Sequence, residues 1–265
     1  MILVTGAGGF VGGKILKMRK DAIACPSLKS LSDEEIKSTI TKYPIDAIIH
    51  TAAISDTGVC EKDPESSYTA NVSLPVCIAK IAKEEKIKLI CFSSDQVYNG
   101  AKEKCPFTED MALPKSVYAR HKLEMEERVL DILPDSVMLR AEWMYDYYLK
   151  KSNYLMNIIN AKDTLRFSSS VYRGVTYVKE VVESLDSVIR LPGGAYNLGS
   201  ETDKTIYQLT KDFLELIGSS ARLEDAPVGC NLLMNCGKAR KHGVIFSSVE
   251  EGLKKCALDY GYIRT

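Results

Sequence analysis

The sequence predicts an α/β protein: a doubly wound parallel sheet followed by a smaller C-terminal lobe. Three observations carry the prediction. Short apolar segments of strand length alternate with longer segments of helical spacing. A glycine-rich turn joins the first such strand to the first helix. Residues able to do chemistry fall just after the strands, on the carboxyl edge where ligands bind in sheets of this kind.

Met1–Val4 reads as a buried strand, Gly6–Gly9 as a tight turn and Phe10–Arg19 as a helix. Ala22–Cys25 is the second strand, closed by Pro26. Ser32 followed by Glu35 has the spacing of a capping box, which starts a helix running to Lys42 and stopping before Pro44. Asp46–His50 is the third strand. Glu65–Glu85 reads as helical, with a turn or kink at Pro75. Lys88–Phe92 is the fourth strand, Val117–Leu130 a strongly periodic helix and Ser136–Leu139 the fifth strand. The run Tyr145–Tyr148 reads as a loop, and the dinucleotide domain is expected over 1–147. Residues 148–265 are expected to form mainly a substrate-binding lobe, with helices at Ser152–Ala161, Val178–Leu191, Thr205–Leu216 and Ser248–Tyr260; one segment is expected to be able to return to the sheet.

A chain of 265 residues has ample length for a buried core. Its 35 Lys and Arg balance 35 Asp and Glu, so bulk charge argues against a nucleic-acid or membrane-surface partner. No apolar run approaches the roughly 18 residues of a membrane span. The opening apolar stretch ends at Thr5-Gly6, which is strand length rather than the core of a signal peptide. Eight scattered cysteines without a C-x-x-C pair read as reduced thiols, which points to the cytoplasm. The histidines at 50, 121 and 242 lack ligand spacing, so no metal is expected.

Gly6, Gly9 and Gly12 form G-x-x-G-x-x-G between strand and helix. Glycine allows the tight turn, lets backbone approach a pyrophosphate and lets helix pack on strand. The helix start, at Phe10 and Val11, presents N–H groups and a positive dipole end to an anion. The second strand is not followed by the carboxylate that would bond a ribose 2′-hydroxyl. Lys17, Arg19 and Lys29 are nearby bases for a 2′-phosphate, which favours NADP(H) over NAD(H).

Ser93-Ser94 ends the fourth strand, and Tyr118 and Lys122 stand four residues apart on one helix face. Carbonyl reduction needs a proton for the developing alkoxide. An adjacent ammonium favours the phenolate, so Lys122 is expected to lower the pKa of Tyr118 and to hold a cofactor ribose. Ser94 is placed to bond the substrate oxygen. Asn71 lies in the helix between the third and fourth strands. His121 is expected on the surface and His50 in a structural role.

These segments resemble the extended short-chain dehydrogenase/reductases, and within them the dTDP-4-dehydrorhamnose reductases. The resemblance rests on Thr5–Gly12, Asp46–Ser55, Val59–Asn71, Ser93–Gly100, Tyr118–Glu124 and Leu139–Tyr145, with Arg173–Val178 and Tyr196–Ser200 further on. It implies an NAD(P)-binding Rossmann fold and reduction of a 4-keto deoxysugar nucleotide or another small carbonyl substrate, with Tyr118 as proton donor. The superfamily also holds epimerases and non-catalytic nucleotide-binding subunits. It implies Ser94, Tyr118 and Lys122 as catalytic, Asn71 in support, and Gly6, Gly9, Phe10, Val11, Gly12, Ala52, Ala53, Ser55 and Ser93 near the cofactor. Trp143 and Asn231 fall at substrate positions, and a homodimer is compatible with it. One departure concerns the family's Arg-Pro pair ahead of that Asn: the segment here reads Ala226-Pro227-Val228-Gly229-Cys230-Asn231, without the arginine. Arg222 and Lys238 are the nearby cations that could replace it.

Overall fold

The computed structural model describes residues 1–147, 153–226 and 229–264. The chain runs β1 (Ile2–Thr5), α1 (Phe10–Met18), β2 (Ala22–Ala24), α2 (Asp33–Thr41), β3 (Ala47–His50), α3 (Thr57–Lys62), α4 (Pro64–Tyr68), α5 (Leu74–Glu85), β4 (Lys88–Ser94), α6 (Val117–Ile132) and β5 (Val137–Ala141). It continues through β6 (Trp143–Tyr145), α7 (Tyr154–Ile159), β7 (Thr164–Phe167), β8 (Val175–Tyr177), α8 (Val178–Glu183), α9 (Leu185–Ile189), β9 (Gly194–Leu198), α10 (Ile206–Leu216), β10 (Arg222–Asp225), α11 (Gly237–Arg240) and α12 (Val249–Asp259).

Six strands form one sheet in the order β2-β1-β3-β4-β5-β9. β1 pairs in parallel with β2 and β3, and β3 with β4, in a register that sets Thr5 beside His50 and His50 beside Cys91. β1 and β3 are buried at every position and apolar except at their ends, where buried Thr5 and His50 bond one another. This is a Rossmann-like parallel sheet with flanking helices.

The chain divides into two compact units. The first comprises Met1–Ala101, Glu109–Arg140 and Leu185–Tyr196, so its main run stops at Arg140 rather than at 147 and a later segment rejoins it. Its core packs Leu3, Ile48, Ile78, Leu89, Met125 and Met138 against one another. Burying each such side chain contributes about 1.5–3 kcal/mol. The second unit comprises Lys102–Thr108, Ala141–Ser184 and Asn197–Thr265. Tyr145, Tyr154, Tyr177, Leu209, Phe213 and Leu253 lie in its core, and β10–β7 and β6–β8 form two small parallel pairs.

Local chemistry explains the helix starts. Ser32, Thr205 and Ser248 each close a capping box with Glu35, Gln208 and Glu251. Glu65–Glu85 is helical throughout, with a π-helical turn at Thr69–Ser73 directly before Pro75, which sits in the first turn of α5. Two expectations need correction, the single helix Val178–Leu191 and the loop beginning at Tyr145. Val178–Leu191 is two short helices separated at Ser184, whose hydroxyl bonds the Val181 carbonyl and competes with helix continuation. The aromatic run begins in strand β6 instead of a loop, while Tyr148 lies outside the described residues. The predicted start at Ser152 also lies outside them; α7 is capped by Asn153, which accepts from Met156 N.

Candidate active site

The glycine turn has the shape the sequence predicts. Gly6 has φ +69°, and a Cβ there would come within 2.6 Å of Ala52 N. A Cβ on Gly12 would lie 2.4 Å from the Gly6 carbonyl oxygen, so α1 packs on this turn only with glycine. Gly9 N donates to Gly6 O at 2.8 Å and forms the N-cap of α1. No side chain caps that helix, and a helix start of this kind favours an anion through its dipole. The half-buried Phe10 and Val11 open the helix. Thr51, which sequence reasoning missed, completes the crowding: its Oγ1 donates to Thr5 O at 2.7 Å and lies 2.8 Å from the space beside Gly6. These residues fit a dinucleotide pyrophosphate.

The bases proposed for a 2′-phosphate divide. Arg19 is committed, donating from Nε and Nη2 to Asp21 and from Nη2 to Asp186, each at 2.8 Å. Sequence spacing did not reveal the second partner because Asp186 arrives from the returning segment. Lys17 and Lys29 are exposed.

The loop after β3 is fixed from below. Asn71, buried in the π turn, accepts from Ile54 N at 3.1 Å and donates to Ile54 O at 3.0 Å and Ser67 Oγ at 3.2 Å. Ile54 turns inward while Ala53 and Ser55 are exposed. Ile54 then packs on Cys60, Val117 and Tyr118. Asn71 is thus connected to Tyr118 by way of Ile54. A π turn at a functional position is a recurrent device, and its register is invisible in side-chain periodicity.

Ser94 ends β4, donates to Asp95 Oδ1 at 3.1 Å and accepts from Gln96 N at 3.2 Å. Tyr118 and Lys122 stand one turn apart on α6, both buried. Lys122 Nζ lies 5.9 Å from the Tyr118 ring centroid and donates to Phe92 O at 2.8 Å. The expected lowering of the Tyr118 phenol is corrected: burial pushes it well up, with a hydrogen bond to Ser94 pulling the other way. Lys122 itself is pushed down to about 8 by burial. Desolvation opposes both charged forms here. Ser93 points its hydroxyl at Glu126 Oε1, so the face it offers a cofactor is backbone.

His50 is structural in geometry, with Nδ1 at 2.8 Å from Thr5 Oγ1, and burial pushes it down to about 3. His121 is half-buried rather than on the surface, because Ser67 Oγ reaches its Nδ1 at 2.9 Å and Tyr68 packs edge-on at 5.3 Å.

In the second unit Trp143 is 45% exposed, and the Arg173 guanidinium stacks 3.8 Å from its ring centroid. Asn231 Oδ1 accepts from Tyr172 N at 2.7 Å. Trp143 and Asn231 thus meet at the Tyr172–Arg173 dipeptide. Behind it Glu142, buried, accepts from Thr176 Oγ1 and from Ser200 N at 2.9 Å. Pro227 and Val228 of the departing segment lie outside the described residues. Among the described residues no three His, Cys, Asp or Glu side chains cluster to hold a metal, and no helix is long and apolar enough to cross a membrane.

A Rossmann-like sheet with a glycine turn after β1, and with Ser94, Tyr118 and Lys122 together where β4 meets α6, has the form of an extended short-chain dehydrogenase/reductase. The chain belongs to the family described as the RmlD substrate binding domain, whose sequence model matches residues 1–229. It is a family of sugar-nucleotide-reductase-like proteins. The chain is 26% identical over 227 residues to the spore coat polysaccharide biosynthesis protein SpsK of Bacillus subtilis, covering 82% of this chain and 79% of that one. It is 28% identical over 278 residues to methionine adenosyltransferase 2 subunit beta of Xenopus laevis, covering 91% and 82%. Among solved structures, dTDP-4-dehydrorhamnose reductase of Bacillus anthracis in complex with NADP superposes with a TM-score of 0.86 at 18% identity, covering 97% and 98%.

Proposed function

We propose that this protein is a cytoplasmic NADP(H)-dependent reductase of a 4-keto deoxysugar nucleotide. The observation that carries the reading is the meeting of Ser94, Tyr118 and Lys122 at the carboxyl end of β4, in the unit that also holds the glycine turn. Gly6, Gly9, Phe10, Val11 and Gly12 hold the pyrophosphate, and Ala52, Ala53, Ser55 and the backbone of Ser93 border the rest of the cofactor. When bound, the nicotinamide supplies hydride. The substrate carbonyl oxygen sits between the hydroxyls of Ser94 and Tyr118. Burial keeps the Tyr118 phenol protonated, as a donor requires. Tyr118 gives its proton to that oxygen as charge develops there. Ser94 steadies the same charge by a hydrogen bond, and the Lys122 ammonium offsets the phenolate left behind. Trp143 and Asn231 shape the sugar-nucleotide site in the second unit. The NADP named with the Bacillus anthracis structure supports the choice of cofactor.

The test is direct: purified protein with NADPH and dTDP-4-keto-6-deoxy-L-mannose, followed at the nicotinamide absorbance. Oxidation that depends on the sugar and is lost in Tyr118→Phe supports the reading. No oxidation with this or related keto-sugars overturns it.

The resemblance to methionine adenosyltransferase 2 subunit beta favours a second reading, a nucleotide-binding subunit without its own turnover. A cellular role that survives Tyr118→Phe would select it.

A further inference from the structure

Directly beneath the site, α6 carries a third buried residue at the same four-residue spacing. Tyr118, Lys122 and Glu126 follow one another at successive turns of a single helix face. Glu126 meets Arg140 of β5 in a fork: Nε donates to Oε1 at 3.1 Å and Oε2 at 3.0 Å, and Nη2 to Oε2 at 2.7 Å. The side chains are 3% and 5% exposed, so the pair is desolvated. Arg140 Nη1 spends its hydrogens on Tyr98 OH at 2.9 Å and Glu109 O at 2.6 Å. The carboxylate also accepts from Ser93 Oγ, the neighbour of Ser94. A buried pair of this kind is a weak source of stability, because desolvation offsets most of its attraction. Its geometry has another use.

We propose that Glu126 and Arg140 are positioning residues for Tyr118 and Lys122. The fork pins α6 one turn below the ammonium to β5, Ser93 pins it to the end of β4, and the Glu126 carboxylate offers Lys122 a compensated charge. The proposal rests on the reductase reading for its catalytic meaning, but its electrostatic part stands without it. Lys122 is faced by Tyr118 and Glu126 from α6, Cys91 from β4, Cys60 from α3 and His50 from β3. Burial pushes the Cys91 thiol up and holds His50 neutral, and Glu126 supplies the carboxylate among these groups. Removing Arg140 leaves that anion uncompensated and favours the ammonium. Removing the Glu126 charge leaves a buried guanidinium and disfavours it. A merely structural pair would respond alike to loss of either partner.

The experiment follows the Lys122 side chain by NMR in protein carrying carbon-13 lysine, assigned by its loss in Lys122→Arg. Titration needs neither cofactor nor substrate. Arg140→Met is expected to raise the Lys122 midpoint and Glu126→Gln to lower it, each by about half a pH unit or more. Arg140→Lys keeps the charge without the fork; it should leave the midpoint in place. With a keto-sugar that the parent reduces, Arg140→Lys should lower kcat about 10–100-fold with KM within about threefold. If Arg140→Met does not fold, Glu126→Gln against Arg140→Lys carries the comparison. Midpoints that move together, or not at all, overturn the electrostatic role; an unchanged kcat in Arg140→Lys overturns the positioning role. Failure of every keto-sugar with the parent protein bears on the reductase reading alone and leaves the titration readable.

Discussion

Asn71 grips both backbone polar groups of Ile54, accepting from its N–H at 3.1 Å and donating to its carbonyl at 3.0 Å. One amide side chain thereby replaces a strand partner for a loop residue that packs on Tyr118. Asn71→Ala leaves two backbone groups without that partner, at a cost of about 1–3 kcal/mol. The expected outcome is a lower melting temperature together with a kcat reduced about tenfold or more, with NADPH affinity changed far less. Thermal melts and steady-state kinetics check it.

Gly12 admits no side chain, since a Cβ would lie 2.4 Å from Gly6 O. Gly12→Ala must push α1 off the turn that is proposed to receive the pyrophosphate. NADPH affinity is expected to fall about 100-fold or more, equivalent to roughly 3 kcal/mol. Fluorescence titration of NADPH measures it.

His50 links stability to pH. Its folded pKa of about 3 lies below the ordinary 6.5 because the ring is buried. As pH falls through 6.5 the unfolded imidazole takes a proton and the folded one does not, so stability declines until pH reaches about 3. His50→Gln removes this contribution. Relative to the parent, the variant should gain stability as pH drops through that window, by up to roughly 5 kcal/mol at its acid end. Urea unfolding at a series of pH values tests the sign. A difference independent of pH would contradict it.

Lys86 ends α5 in the left-handed region, at φ 56° and ψ 41°. It is exposed, and a residue with a Cβ costs about 1 kcal/mol or more there compared with glycine. Lys86→Gly should raise the unfolding free energy by about 1 kcal/mol. Chemical denaturation measures this without reference to activity.

The first unit was legible because its strands carry short unbroken apolar runs and several of its helices announce their caps. Ser32 with Glu35 and the glycine turn are cases where one residue type answers one backbone need. The second unit was less so. β6, β7 and β8 hold three or four residues each, too few for a period to register. The short helix α3 had a readable signal in Asp56, which caps it by accepting from Val59 N, but the run is only six residues.

Within the site, residue types and their spacing placed Tyr118, Lys122 and Ser94 on adjoining elements. The state of their protons was not legible, because desolvation depends on what a helix packs against. Glu126 was present in the sequence four places after Lys122, but nothing in one dimension pairs it with Arg140. Asn71 was noted as a residue type; its partner Ile54 became visible only with the loop in place.

The last strand of the main sheet, β9, is made long after its neighbour β5. During synthesis, five strands are available before Gly194–Leu198 leaves the ribosome, and β5 meanwhile presents a bare row of amides and carbonyls. A gene fragment ending at 147 would keep that ragged border permanently and should self-associate, so dissecting this protein calls for a graft of the returning segment rather than a simple truncation.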